Sequence, residues 1–200
     1  MLQARRRRPA RGRRLLAAML AVVLVACGVG PAPLTAPSSG SGEPGAGQQR
    51  PAGLPADAEA ARLERVVDGD TVRLQPGPRS GLGAEPSVRV RLLNIDAPEL
   101  PRDGRRGGCL AVEAAERLEE LLAVGDVVYV AADREDRDRY DRPLRAVWSA
   151  DGVFVAEVLA AEGFATAVLF PPNDRFHARI VAAEQRAIDA RLGVHGPACR

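Results

Sequence analysis

The chain contains no lysine: all 28 basic residues are arginine, set against 26 acidic ones. Such a one-sided choice reads first as compositional bias, so arginine abundance alone is no evidence of phosphate recognition. Nor is the positive charge spread along the chain. Arg5 to Arg8, Arg11, Arg13 and Arg14 crowd the first fourteen positions with no acidic residue among them, and beyond them 21 arginines face 26 carboxylates. That excludes a basic protein coating nucleic acid through bulk charge and confines any phosphate binding to a local site. Histidine and cysteine are scarce, two and three residues respectively. Neither Cys109 nor Cys199 has a histidine or second cysteine at ligand spacing, which argues against zinc. His177 and His195, on or after the last predicted helix, read as surface residues.

The basic leader is followed by an apolar run, Leu15 to Ala26, too short to span a bilayer comfortably and suited to a secretory signal. It ends in Leu24-Val25-Ala26-Cys27-Gly28, similar to the bacterial lipobox, in which the cysteine becomes the lipidated first residue of the mature chain. The alternative is an ordinary cleavable signal with Cys27 free, and Arg13-Arg14-Leu15-Leu16 hints at twin-arginine export. Either way export is expected, with a lipid anchor at Cys27 to the outer face of the membrane or full secretion. Residues 28–57 have almost no large apolar side chain and read as a disordered Pro/Gly/Ser tether between signal (1–27) and folded domain (58–200). In an oxidising compartment Cys109 and Cys199 either join, tying the C-terminus to the loop before the first helix, or stay free.

Within the domain one stretch dominates. Asp68-Gly69-Asp70 is a turn signal, Thr71-Val72-Arg73-Leu74 alternates like a half-buried strand, and Ser87 to Leu93 alternates again. Paired as an antiparallel hairpin, these strands bring Asp70 and Asp96 to one end, with Glu99 just past it and Arg91 about one strand-length back. Carboxylates converging like this repel one another unless an ion fills the gap. Around the hairpin we expect strands at 62–67, 127–132 and 145–149 and helices at 110–122, 153–161 and 175–192. Val112, Ala115, Leu118, Leu121 and Leu122 are taken as the inward face of the first helix, and Phe176, Ile180, Ala183, Ala187 and Leu192 as that of the last. Phe164 to Phe170 is apolar and of uncertain type. Five short strands with one helix after the third suit an α+β fold built on a five-stranded OB barrel with three helices.

Three segments then stand out in order: Val67-Asp68-Gly69-Asp70-Thr71, Arg91-Leu92-Leu93-Asn94-Ile95-Asp96-Ala97-Pro98-Glu99, and Asp138-Arg139-Tyr140-Asp141-Arg142-Pro143-Leu144. Together they resemble the signature segments of the staphylococcal nuclease family, over about residues 63–192. The resemblance implies an OB barrel and a Ca²⁺-dependent endonuclease cutting DNA and RNA without sugar preference to leave 3′-phosphates. It implies Asp70, Asp96 and the backbone carbonyl of Ala97 as calcium ligands, hard oxygen donors of the kind Ca²⁺ favours. By the same resemblance Glu99 orients or deprotonates the attacking water, while Arg91 and Arg142 grip the scissile phosphate with guanidinium forks.

Two departures bear on binding. The family usually has threonine where Ala97 stands, so a hydroxyl is lost, and it has tyrosines near the base where this chain offers Leu169 and Phe170. Phe170 is the candidate for base stacking; Tyr140 is assigned near the site, with core packing as its main task. Arg73, Arg89, Arg137 and Arg139 are read as solvated. The expected product is a monomeric, exported, membrane-tethered nuclease. The rivals are a catalytically silent OB module binding nucleic acid or protein, and a scaffolding lipoprotein.

Overall fold

A computed structural model describes residues 50–199. The proposed lipidation site Cys27, the signal and most of the tether lie outside the described residues. The chain order is β1 (Glu59–Asp68), β2 (Thr71–Gln75), β3 (Val88–Leu92), β4 (Ile95–Asp96), α1 (Ala111–Leu121), β5 (Val127–Ala131), β6 (Leu144–Trp148), α2 (Val155–Glu162), β7 (Thr166–Ala167) and α3 (His177–Ala190), then two short 3₁₀ turns, Gly193–His195 and Pro197–Cys199. Five strands close a barrel in the order β1-β2-β3-β6-β5, and β4 with β7 forms a separate two-stranded ribbon. This is the OB-type α+β architecture with three helices that strand order and resemblance implied.

Alternation along the strands fills the barrel: Leu63, Val72, Leu74, Val90, Leu92, Val128 and Val130 are buried within it. Trp148 at the end of β6 stacks on Phe154 with ring centroids 4.9 Å apart and meets Phe176 edge-on at 5.4 Å. Those three rings fasten the starts of α2 and α3 to the barrel. Gly163 stops α2 with φ +76°, and a β-carbon there would lie 2.5 Å from the Leu192 carbonyl oxygen. Glycine is thus required both for the left-handed turn and for close contact with the chain leaving α3.

Several expectations are corrected. Val112 and Leu192 face solvent, at 49% and 44% exposure, because α1 is rotated to bury Ala111, Ala114 and Leu118 and α3 ends two residues earlier than expected. The stretch of uncertain type contains β7, which pairs with β4 through Asp96↔Thr166. His195 is largely buried, its side chain 19% exposed and its Nε2 lying 3.4 Å from Glu184. Composition placed residues 50–57 in the tether, yet they lie on the domain: Leu54 packs against the core and Asp57 pairs bidentately with Arg175 at 2.6 and 2.8 Å. One apolar side chain and one carboxylate suffice to dock a segment whose average composition is that of a linker.

Candidate active site

The site begins at the β1–β2 turn. A β-carbon on Gly69 would stand 2.7 Å from the Cβ of Ala97 and 2.9 Å from that of Ala114. Only hydrogen at this position lets the turn press against the end of β4 and against α1, which carries Asp70 to the segment holding Asp96. Asp70 is buried, and its carboxylate accepts hydrogen bonds from the Thr71 hydroxyl (3.0 Å) and the Ala97 amide (2.9 Å). The Leu92 amide donates to the Asp70 carbonyl at 2.8 Å, stitching turn to β3.

Arg91 lies closer than expected. The β2–β3 register pairs it with Thr71, so it stands beside Asp70 rather than a strand-length back. Its Nη2 reaches Asp70 Oδ2 at 3.0 Å and Asp96 Oδ1 at 2.8 Å, and its Nη1 donates to the carbonyls of Leu92 and Ile95 at 2.9 and 2.7 Å. One guanidinium nitrogen thus gathers the two carboxylates that the sequence placed at one barrel end. Burial pushes the Asp70 carboxyl up to about 6, with Asp68 adding repulsion, against the opposing pull of Arg91 and the Ala97 amide. The linkage sign is unfavourable at neutral pH. Asp70 favours the fold fully only below its ordinary value of 3.8, and that contribution is lost as pH rises through about 6.

Arg142 arrives by a different route. β3 and β6 run parallel, with Arg91 opposite Leu144 and the Arg91 amide donating to the Pro143 carbonyl at 2.9 Å. The long charged loop before β6 therefore ends next to Arg91. Within it, Asp138 Oδ1 accepts from the amides of Tyr140 and Arg142, both at 2.9 Å, while Oδ2 takes Nε and Nη2 of Arg142, both at 2.6 Å. Burial opposes ionisation of Asp138, but the Arg142 amide and guanidinium and the Tyr140 amide outweigh it and hold the carboxyl below the usual range. A buried arginine, Arg145, braces the same loop: it meets Asp136 Oδ1 at 2.7 Å and donates to the Leu144 and Gly81 carbonyls at 2.8 Å.

These pieces border one open cleft of about 700 Å³, lined by Arg91, Asp96, Glu99, Arg142, Tyr140 and Phe170 among others. Tyr140 is 65% exposed, which corrects its assignment to core packing; the guanidinium carbons of Arg139 and Arg142 lie 4.7 and 5.5 Å from its ring centre. Phe170 does line the cleft, but its ring faces the Arg91 guanidinium at 5.4 Å. Arg137 and Arg139, read as solvated, also border it, whereas Arg73 donates to Ser87 at 3.1 Å and does not line the cleft. Arg89 stands 3.6 Å from Asp68.

Sequence reasoning passed over Asp138 and Arg145 as contributors. An arginine required at a fixed place needs a counter-charge, and the carboxylate four residues before Arg142 was the available signal. Arg145 is harder to find, since one of its partners, the Gly81 carbonyl, lies in a loop distant in the chain.

Asp70 and Asp96 offer only hard oxygen donors, and among the described residues Arg91 is the cation paired with both, while the nearby Asp68 adds further negative charge. A site of this kind fits Ca²⁺ and not a soft or nitrogen-seeking metal. The Ala97 amide is engaged with Asp70; its carbonyl is the remaining backbone donor of the set.

Comparison with known proteins identifies the family. The family model described as "Staphylococcal nuclease homologue" matches residues 89–195. A thermonuclease of Staphylococcus intermedius is 31% identical over 136 residues, covering 68% of this chain and 76% of that protein. A thermonuclease of Staphylococcus hyicus is 30% identical over 132 residues, 66% and 73% of the two chains. Endonuclease YhcR of Bacillus subtilis is 30% identical over 150 residues, which are 69% of this chain but 12% of that much longer protein.

Proposed function

The chain belongs to the staphylococcal nuclease family and is a phosphodiester hydrolase, and we propose that it is a Ca²⁺-dependent endonuclease acting on both DNA and RNA. The observation that carries the proposal is the sharing of Arg91 Nη2 by Asp70 and Asp96 beside a cleft that also holds Glu99 and Arg142. The two carboxylates and the Ala97 carbonyl would hold the ion, whose chemistry there is charge neutralisation and polarisation of a phosphoryl oxygen.

The chain's own residues do the rest. Arg142, held by Asp138, presents its guanidinium to the scissile phosphate, and Arg91 stabilises the charge that develops on the phosphoryl oxygens as water adds. Arg91 is already engaged by carboxylates, so its share for substrate grows when their charge is taken up by a cation. Glu99, on the exposed segment after β4, orients the attacking water or removes its proton. Displacement of the 5′-oxygen then leaves a 3′-phosphate. Tyr140 and Phe170 border the cleft as apolar surfaces for the nucleotide, Phe170 in the role the family gives to tyrosine.

We further propose that the protein is exported, tethered through lipid on Cys27 and active as a monomer. The supporting sequence is the arginine leader, the short apolar run and Leu24-Val25-Ala26-Cys27-Gly28. Digestion of single-stranded DNA and of RNA with Ca²⁺, repeated with chelator, tests the activity, and end-group analysis reads the product. Cleavage only with the ion, leaving 3′-phosphates, is expected; intact substrate in both tubes would support the silent binding module instead. Cys27→Ala is expected to move the protein from the membrane fraction to the medium, and unchanged membrane retention would remove the anchor.

A further inference from the structure

Glu99 stands on a segment with little packing of its own. Ala97 at the start of the loop between β4 and α1 is in the core, but residues 101–109 are all exposed. Its ties are few. The Gly108 amide donates to the Glu99 carbonyl at 2.9 Å, closing the loop at its base. That closure is tight, since a β-carbon on Gly108 would lie 2.7 Å from the Pro98 Cβ. Arg102, itself half-exposed, reaches the buried Asp68 at 3.2 Å. The buried Ala111 amide at the start of α1 also donates to the Gly108 carbonyl at 3.2 Å, and a further tie is covalent: Cys109, the residue after Gly108, is joined to Cys199.

Cys199 is not a loose end. The Val194 amide donates to the Gly163 carbonyl at 2.8 Å, and a β-carbon on Gly193 would stand 2.0 Å from that same oxygen. Glu184 on α3 lies 3.4 Å from His195 and also accepts from the Ala167 amide at 3.1 Å. The C-terminal turns are thus seated on the α2–α3 layer, and the disulfide extends that seating to the base of the Glu99 loop. Cys109 is exposed, so the bond is open to thiol reagents.

We infer that residues 193–199 form a clasp and that the Cys109–Cys199 disulfide is a positioning device for Glu99. Oxidised, it fixes Gly108 and through it the Glu99 backbone. Reduced, it leaves the loop held by two backbone hydrogen bonds at Gly108 and one ion pair, and the carboxylate strays from the attacking water. Errors of about 1 Å in such placement cost up to ~10²-fold in rate. Opening consumes a dithiol: two electrons and two protons convert the bond to two thiols, while the reagent ends as a cyclic disulfide.

The inference rests on the hydrolase reading, and the test separates the two. Purified full-length chain is assayed oxidised and after dithiothreitol, alongside Cys109→Ser/Cys199→Ser, at a temperature well below the Tm of the reduced form. Removing the bond is expected to lower kcat about tenfold while KM moves less than about twofold. In a Glu99→Gln background the same removal is expected to change kcat less than about twofold, because there is no carboxylate left to misplace. Amide exchange at Gly108 is expected to quicken on reduction, whatever the activity. An unchanged kcat with only a lower Tm, an equal loss in both backgrounds, or unaltered Gly108 exchange would overturn the clasp. An inactive oxidised chain would instead sink the hydrolase reading, leaving the clasp to be judged by Gly108 exchange.

Discussion

Asp138→Ala tests how the second arginine is prepared. In the wild type this carboxylate takes two backbone amides at 2.9 Å and two guanidinium nitrogens at 2.6 Å. The amides lie on an exposed loop, where water replaces the carboxylate at small cost. The guanidinium bonds are charge-assisted, but Arg142 retains 26% side-chain exposure, which places their worth toward the lower end. Truncation is therefore expected to cost about 1–2 kcal/mol of stability. For turnover the relevant quantity is order: a released arginine regains up to ~2 kcal/mol of rotamer entropy that must be given up again when phosphate arrives. That corresponds to a fall of roughly 10- to 30-fold in kcat/KM. The assay is steady-state cleavage of a single-stranded oligonucleotide, paired with urea unfolding. A rise in kcat/KM would refute the reasoning, since it would mean that Asp138 competes with phosphate for Arg142 instead of aiming it.

The pH dependence of stability at the same position gives an independent check. Because the folded carboxyl is held below its ordinary 3.8, its stabilisation is present above that value and is lost as pH falls through the folded pKa. The stability gap between wild type and Asp138→Asn is expected to close in acid; a gap widening below pH 4 would contradict the assignment. Glu99→Gln and Arg142→Ala should fold normally by circular dichroism yet lose ~10²–10⁴ in turnover, and full activity in either would remove that residue from the mechanism. Gly69→Ala is expected to cost about 1–3 kcal/mol in urea titration, since its new carbon meets Ala97 and Ala114 below contact distance; a neutral result would show that the turn has slack. Arg145→Met strips buried carbonyls and Asp136 of their partner, and about 2–4 kcal/mol should be lost in the same assay.

Much of the barrel was legible because local pattern decides it. Alternation in residues 71–74 and 87–93 specifies the β2–β3 hairpin, the Asp-Gly turn joins β1 to β2, and the hairpin together with the close packing of Gly69 on Ala97 brings Asp70 near Asp96. What was not legible depends on partners distant in the chain. The parallel β3–β6 pairing sets Arg142 beside Arg91, yet no feature of either strand announces which neighbour it takes. The short β4–β7 ribbon consists of two residues on each side and borrows its stability from α3, where Glu184 holds the Ala167 amide. Tyr140 was misread because an aromatic side chain carries no mark of whether it packs inward or supports guanidinium groups at a cleft. The two cysteines gave a possible bridge by composition, but its place at the foot of the Glu99 loop needs the fold. Residues 50–57 show the converse error, in which averaged composition hides two side chains able to dock.

The central claim is that Asp70 and Asp96 together hold a divalent cation needed for phosphodiester cleavage. Cleavage rate against free Ca²⁺, measured side by side for wild type and Asp70→Asn, tests it most directly. The substitution preserves shape and an oxygen acceptor for the Ala97 amide while removing a buried charge. The account predicts saturable, chelator-sensitive cleavage by the wild type, and a variant that stays folded but needs at least ~10-fold more Ca²⁺ or fails to cut. Equal calcium dependence in the two proteins, or wild-type cleavage that persists in chelator, would contradict it.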